Sequence, residues 1–274
     1  MDLEVISAFC LMPFAMVVAA QGWTWAFAIL SSVPLLLILY YYNKFMSQSK
    51  TKFFLGWSVV TFFFLFAVFE LEVVPYLEIL FSENLCLMCC VAAMCFCFFI
   101  VKSNSQPASQ TVLQNEKSAR IKCETCTILQ PVRTLHCDLC GFCVLKKDHH
   151  NAWLDVCIGS RNQKYFIGGL VFLLISCVYS SNLTLTTICH PTLVAGILLM
   201  PDDCTDVFDD FHIAICFVSA VYTLMIAVFC SYLLLQQLWF VCHNATYQDW
   251  KDGNINLYNN GIRRNIIDFW YGYY

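Results

Sequence analysis

Six long apolar runs constrain this chain more than any other feature. They cover residues 5–20, 23–42, 53–69, 85–101, 165–188 and 213–241. Runs of about 18–20 apolar residues match the hydrocarbon thickness of a bilayer. No water reaches backbone N–H and C=O groups there, so a spanning segment has to pair them internally, and a helix does so within one segment. The expected fold class is therefore an all-α polytopic membrane protein of about six transmembrane helices. The composition agrees: 59% of residues are hydrophobic and 12% charged, where a soluble domain carries about 25% charged residues.

Six spans put both termini on one side, and the charges say which. Basic loops stay cytosolic. With a cytosolic N-terminus, the cytosolic pieces are 43–52, 102–164 and 242–274, and they hold all 15 Lys and Arg residues. The opposite face carries Glu70, Glu72, Glu78, Glu83, Asp202, Asp203, Asp206, Asp209 and Asp210 instead. The expected organisation is four transmembrane helices in 1–101, a cytosolic polar region in 102–164, two further helices with a lumenal loop in 165–241, and a short cytosolic segment in 242–274. The net charge of −4 gives no reason to expect a nucleic-acid partner. The acidic start MDLEVIS lacks the basic region of a cleavable signal peptide. Cys189 and Cys204 fall on the lumenal face, where a disulfide between them and a Cys189 still inside its span are both open. The apolar piece 192–200 is too short to cross and reads as a lumenal or interfacial segment.

Between residues 123 and 159 the chain changes character. Six cysteines and three of the six histidines fall in this stretch, which faces the reducing cytosol. Structural zinc takes four Cys or His ligands, commonly a CxxC hook plus a second pair further along. Two interleaved sets satisfy that rule. One is Cys123, Cys126, His136 and Cys143; the other is Cys137, Cys140, His150 and Cys157. Each set is three thiolates and one imidazole, and together they use every cysteine of the region. The segment is too short and polar to bury a core, so metal would supply much of its folding free energy, of order 10 kcal/mol per site. Asp148 and His149 are left over. A carboxylate beside an imidazole fixes its tautomer and raises its basicity, and position 151 is where a nucleophile would stand. That residue is Asn151.

These residues resemble the cysteine-rich domain of the DHHC-type protein S-acyltransferases, or palmitoyltransferases. The likeness runs over 123–166 without a gap: CxxC, HCxxCxxC, the Asp-His-His core, Trp153, Cys157-x-Gly159, and Asn162 followed by Tyr165-Phe166. Elsewhere it is weaker. The family's Thr-Thr-x-Glu motif stands as Ala245-Thr246-Tyr247-Gln248. The C-terminal asparagine motif is better kept, as Tyr258-Asn-Asn-Gly261-Ile-Arg-Arg-Asn265 with Phe269 and Gly272 beyond, and makes Asn265 the structural asparagine. The resemblance implies two structural Zn2+, acyl-CoA as co-substrate, membrane lipid around the spans, protein substrates or binding partners at the cytosolic face, and residence in the endoplasmic reticulum or Golgi. It also implies a two-step transfer: the fourth residue of the Asp-His-His-Cys core takes an acyl group from acyl-CoA and passes it to a substrate cysteine.

In this sequence the fourth position is Asn151, with Asp148 and His149 in their family roles and His150 a zinc ligand. An amide is not a nucleophile at neutral pH, whereas a cysteine is already a few per cent thiolate. The nearest cysteines, Cys143 and Cys157, belong to the zinc sets. Two readings follow: a catalytically silent family member acting as a membrane scaffold or regulator, and an active transferase whose nucleophile has been replaced by substitution. A transporter or channel fits poorly, because no span carries a buried Lys or Arg.

Overall fold

The structure is a computed structural model, and it describes residues 2–47, 49–107, 120–194 and 198–271. Among the described residues, five helices are long and apolar enough to cross a membrane. These are α2 (Trp23–Met46), α3 (Phe53–Val68, running on helically to Tyr76), α4 (Phe81–Ser103), α5 (Gln163–Ile188) and α6 (Phe211–His243). A sixth apolar helix, α1 (Leu3–Ala19), has 17 residues, the lower end of what spans a bilayer. The chain is a multi-pass membrane protein of helices with a cysteine-rich region. It divides into two compact units, one of residues 1–92 and 172–230, the other of 93–171 and 231–274.

In the first unit α1 packs on α3, and Gly56 permits their approach: a Cβ there would lie 3.3 Å from the Val5 Cα. Glu4 pins the start of α1, accepting from the Thr51 hydroxyl at 2.8 Å and the Lys52 N–H at 3.2 Å. Trp57 donates its indole N–H to the Tyr222 hydroxyl at 3.1 Å, joining α3 to α6. The acidic stretch after residue 69 is more ordered than its sequence suggests. Phe69–Val73 form a single π turn that carries α3 onward, with Glu72 at 2.9 Å from His212 Nδ1. The segment after α5 is a hairpin, β7 (His190–Val194) with β8 (Leu198–Asp203). A Cys189–Cys204 disulfide closes it, which resolves the two openings left by the sequence.

The second unit holds three successive antiparallel hairpins. They are β1 (Arg120–Lys122) with β2 (Leu129–Pro131), β3 (Leu135–Cys137) with β4 (Phe142–Val144), and β5 (His149–Asn151) with β6 (Val156–Ile158). Three-residue strands bury little, and the cluster around Cys137, Val144 and Cys157 is an apolar core shared by the second and third hairpins. Gly159 follows β6 because nothing larger fits: a Cβ would come within 2.8 Å of the Leu145 carbonyl oxygen and of Val144 Cγ1. After α6 come two short helices, α7 (Tyr247–Lys251) and α8 (Ile262–Tyr271). Asn265 is buried on α8, with its Nδ2 donating to the Cys242 carbonyl at 2.7 Å and its Oδ1 accepting from the Asn260 N–H at 3.0 Å. Gly272 lies outside the described residues.

Candidate active site

The hairpins assemble the two ligand sets by a repeating device. Each CxxC pair occupies the turn region of one hairpin, and each His–Cys pair faces across the strands of the next. Cys123 and Cys126 lie between β1 and β2, while His136 and Cys143 are register partners in β3–β4. Cys137 and Cys140 lie at the β3–β4 turn, while His150 and Cys157 are register partners in β5–β6. In each set the four ligand atoms lie within 4.8 Å of one another.

Cys126 and Cys143 sulfurs stand 3.2 and 3.8 Å from His136 Nδ1. Cys140, Cys157 and Cys137 sulfurs stand 3.3, 3.7 and 3.9 Å from His150 Nδ1. A tetrahedral zinc with bonds of about 2.3 Å to sulfur and about 2.0–2.1 Å to nitrogen has ligand–ligand edges of roughly 3.5–3.8 Å. Both clusters therefore fit such an ion, and three sulfurs with one nitrogen are a donor set it favours. In each, the far ring nitrogen faces a carboxylate, Nε2 of His136 at 3.9 Å from Asp138 and Nε2 of His150 at 3.7 Å from Asp155. Both separations are longer than a hydrogen bond, so these carboxylates are charge neighbours of the imidazoles and not bonded supports.

Strand alternation separates metal from chemistry. Neighbouring residues of a strand point to opposite faces, so adjacent His136 and Cys137 enter different ligand sets. On β5 the same rule turns His150 toward sulfur and puts His149 and Asn151 together on the other face.

Asp148, whose side chain is fully buried, accepts from His149 Nδ1 at 2.6 Å. Gln237 Nε2 donates to the same Asp148 oxygen at 2.9 Å, and the Tyr247 backbone N–H donates to the other at 2.7 Å. Burial pushes this carboxyl up, but its interaction with His149, then its hydrogen bonds from Gln237 and the Tyr247 N–H, hold it below its ordinary value. With Nδ1 tied to Asp148, His149 keeps Nε2 for another partner, and its side chain is 27% exposed. The Phe166 ring meets it edge-on at 5.8 Å. Asn151 is 8% exposed, and its Oδ1 accepts from the Leu154 N–H at 3.1 Å. The arrangement leaves one ring nitrogen of His149 available to hold a proton, with the amide of Asn151 two residues along the same strand.

A family profile described as DHHC palmitoyltransferase matches residues 116–254, just over half of the chain and all of this site. The chain belongs to the DHHC palmitoyltransferase family. Among similar curated proteins, mouse palmitoyltransferase ZDHHC23 is 24% identical over an alignment covering 98% of this chain and 77% of that protein. Zebrafish palmitoyltransferase ZDHHC23-B is 24% identical, covering 90% and 68%. Zebrafish palmitoyltransferase ZDHHC17 is 37% identical, over 27% of this chain and 13% of its own length.

Several parts of this palmitoyltransferase-family site escape the sequence motifs. The segment 245–248 looks weakened as a motif, yet Thr246 caps α7 in a full capping box with Asp249. Asp249, one position beyond the expected glutamate, also pairs with Arg133. The Arg133 guanidinium donates to the Asn244 carbonyl at 2.9 Å and lies 4.2 Å over the Tyr258 ring. Lys146 donates to Asn244 Oδ1 at 2.8 Å. The hairpins are thus tied to the segment after α6 through a loop arginine, a lysine and one asparagine. Gln237 is hidden inside an apolar run; the two adjacent amides there, Gln236 and Gln237, are the signal that could have found it.

Proposed function

We propose that this protein is a membrane-embedded palmitoyltransferase-family member that keeps the zinc frame and the acid–base pair but forms no acyl-enzyme. It then acts as a scaffold or regulator at the cytosolic face. One observation carries the reading: Asn151 stands beside His149 on β5, in the nucleophile position, and its Oδ1 is engaged by Leu154. Loss of a covalent nucleophile leaves only what binding and electrostatics contribute.

In this reading Cys123, Cys126, His136 and Cys143 hold one Zn2+, and Cys137, Cys140, His150 and Cys157 the other. Four protein ligands close each tetrahedron, so the ions contribute folding energy and no reactive position. Asp148 orients His149, and His149 is the base that a thiol at 151 would use. Asn265 is structural. Residues 102–164 form the cytosolic zinc domain, with 1–101 and 165–241 in the membrane and 242–274 cytosolic. All Lys and Arg residues fall on that cytosolic side, which supports the orientation. Long-chain acyl-CoA is the ligand expected from the family, and endoplasmic reticulum or Golgi the expected membrane.

The second reading is an active transferase whose thiol has been replaced by substitution. It is favoured by the undisturbed Asp148–His149 geometry, 2.6 Å between Oδ2 and Nδ1. Labelled palmitoyl-CoA separates the two. The protein with Asn151 is expected to take up no hydroxylamine-labile label, and Asn151→Cys to take it up. Label on the Asn151 form refutes the silent reading; absence of label on both forms refutes an intact active site.

A further inference from the structure

Buried amides need a reason. Gln237, near the C-terminal end of α6, is 3% exposed, and Gln163, at the start of α5, is 5% exposed. An apolar side chain of similar length would pack in either place without the cost of desolvating an amide. Each amide finds a partner in the other, Gln163 Nε2 donating to Gln237 Oε1 at 3.1 Å. The line continues from Gln237 Nε2 to Asp148 Oδ2 at 2.9 Å, and from the same oxygen to His149 Nδ1 at 2.6 Å.

The direction of every bond in this line is fixed from its charged end. An ionised carboxylate only accepts, so Gln237 has to turn its NH2 toward Asp148. Its carbonyl oxygen then faces Gln163, which has to answer with its own NH2. Gln163 in this way prevents Gln237 from turning its oxygen against the carboxylate. Asp148 in turn holds the imidazole with Nδ1 protonated and Nε2 free. The carboxylate thus sets the tautomer of His149, and side chains from two helices hold that carboxylate in place.

We propose that Gln237, oriented by Gln163, is a positioning residue for the Asp148–His149 pair and for any acyl transfer that pair supports. This rests on the proposed role of His149 as the base. Its distinguishing feature is that it predicts a signal at His149 in the protein with Asn151, where no acyl transfer is required.

The decisive measurement is proton NMR of the detergent-solubilised protein labelled with 15N-histidine. The His149 Nδ1–H, in a short bond to a carboxylate, is expected far downfield of the amides, and His149→Gln assigns it by its loss. In Gln237→Met the resonance is expected to move upfield or vanish by exchange with water, with metal content unchanged. Gln163→Met is expected to move it the same way by less, and to add nothing in the Gln237→Met background. A resonance unmoved by Gln237→Met, or missing from the parent, overturns the proposal. In Asn151→Cys, adding Gln237→Met is expected to lower the maximal self-acylation rate about tenfold with KM for palmitoyl-CoA unchanged. The size is set by analogy with the outer partners of metal-bound histidines, whose loss costs about 10–100-fold. A raised KM at full rate counts against positioning. Should Asn151→Cys take no label, the intact acid–base pair of the proposed function falls, and the NMR result alone decides the role of Gln237.

Discussion

Asn162 is the most economical place to disturb this site without touching a metal ligand or the acid–base pair. It is 2% exposed, and its side chain makes three hydrogen bonds. Nδ2 donates to the Val101 carbonyl at 3.0 Å and to the Cys157 carbonyl at 2.9 Å, while Oδ1 accepts from the Gly159 N–H at 2.9 Å. Val101 lies in the last turn of α4, where carbonyls have no partner within the helix. Asn162 thus caps one helix and fixes the exit of β6, the strand that carries Cys157. Asn162→Ala deprives the Val101 carbonyl and the Gly159 N–H, while the Cys157 carbonyl keeps the Ser105 hydroxyl at 3.3 Å. At about 1–3 kcal/mol for each orphaned buried group the cost is about 2–6 kcal/mol. Its midpoint of about 4 kcal/mol raises the population of a locally opened hairpin roughly a thousandfold. The assay is zinc release to a chromogenic chelator from detergent-solubilised protein, expected to accelerate by roughly that factor. Asn162→Asp keeps the acceptor for Gly159 but loses both donations, and is expected to fail as well. Release within about threefold of the parent in both variants would refute the hydrogen-bond argument.

Two further outcomes are expected. Metal analysis should find two zinc equivalents per chain, and Cys126→Ser or Cys140→Ser should lose the metal together with solubility; one equivalent or none in the parent contradicts the interleaved sets. Burial, then the nearby Arg133 charge, pushes the Lys146 ammonium down to about 8 from an ordinary 10.5. The unfolded chain therefore binds more protons than the folded one between those values, and stability attributable to Lys146 rises with pH across that window. Measured by thermal melting, the parent should gain on Lys146→Met between about pH 8 and 10.5, and parallel curves would show that Lys146 is not so perturbed.

The spans and the ligand sets were legible in the sequence because each depends on local pattern. An apolar run declares itself by length, and thiolates and imidazoles declare themselves by spacing, since a tetrahedral ion tolerates few arrangements. What stayed hidden depends on partners distant in the chain. Nothing local marks Arg133 as the residue that meets Asp249 and Tyr258, or Tyr247 as the source of an N–H for Asp148. The stretch 69–76 reads as an acidic loop because its charges mask a helix that continues through a π turn. The piece 192–200 could be excluded as a span by length alone, but its pairing as a hairpin required the structure. Asn151 is legible as a departure only against the Asp148-His149-His150 run before it.

The alternation of β5 has a consequence for how such a chain can fail. In the proposed reading, the metal holds this module through His150, while Asn151 next to it ligates nothing and its side chain meets the Leu154 N–H. A slip of one residue would take His150 from the ion and scatter His149 with it, so metal loading also certifies the placement of the base. A change at position 151 passes that inspection. In the proposed reading, reactivity and assembly are therefore separable in this molecule by a single side chain.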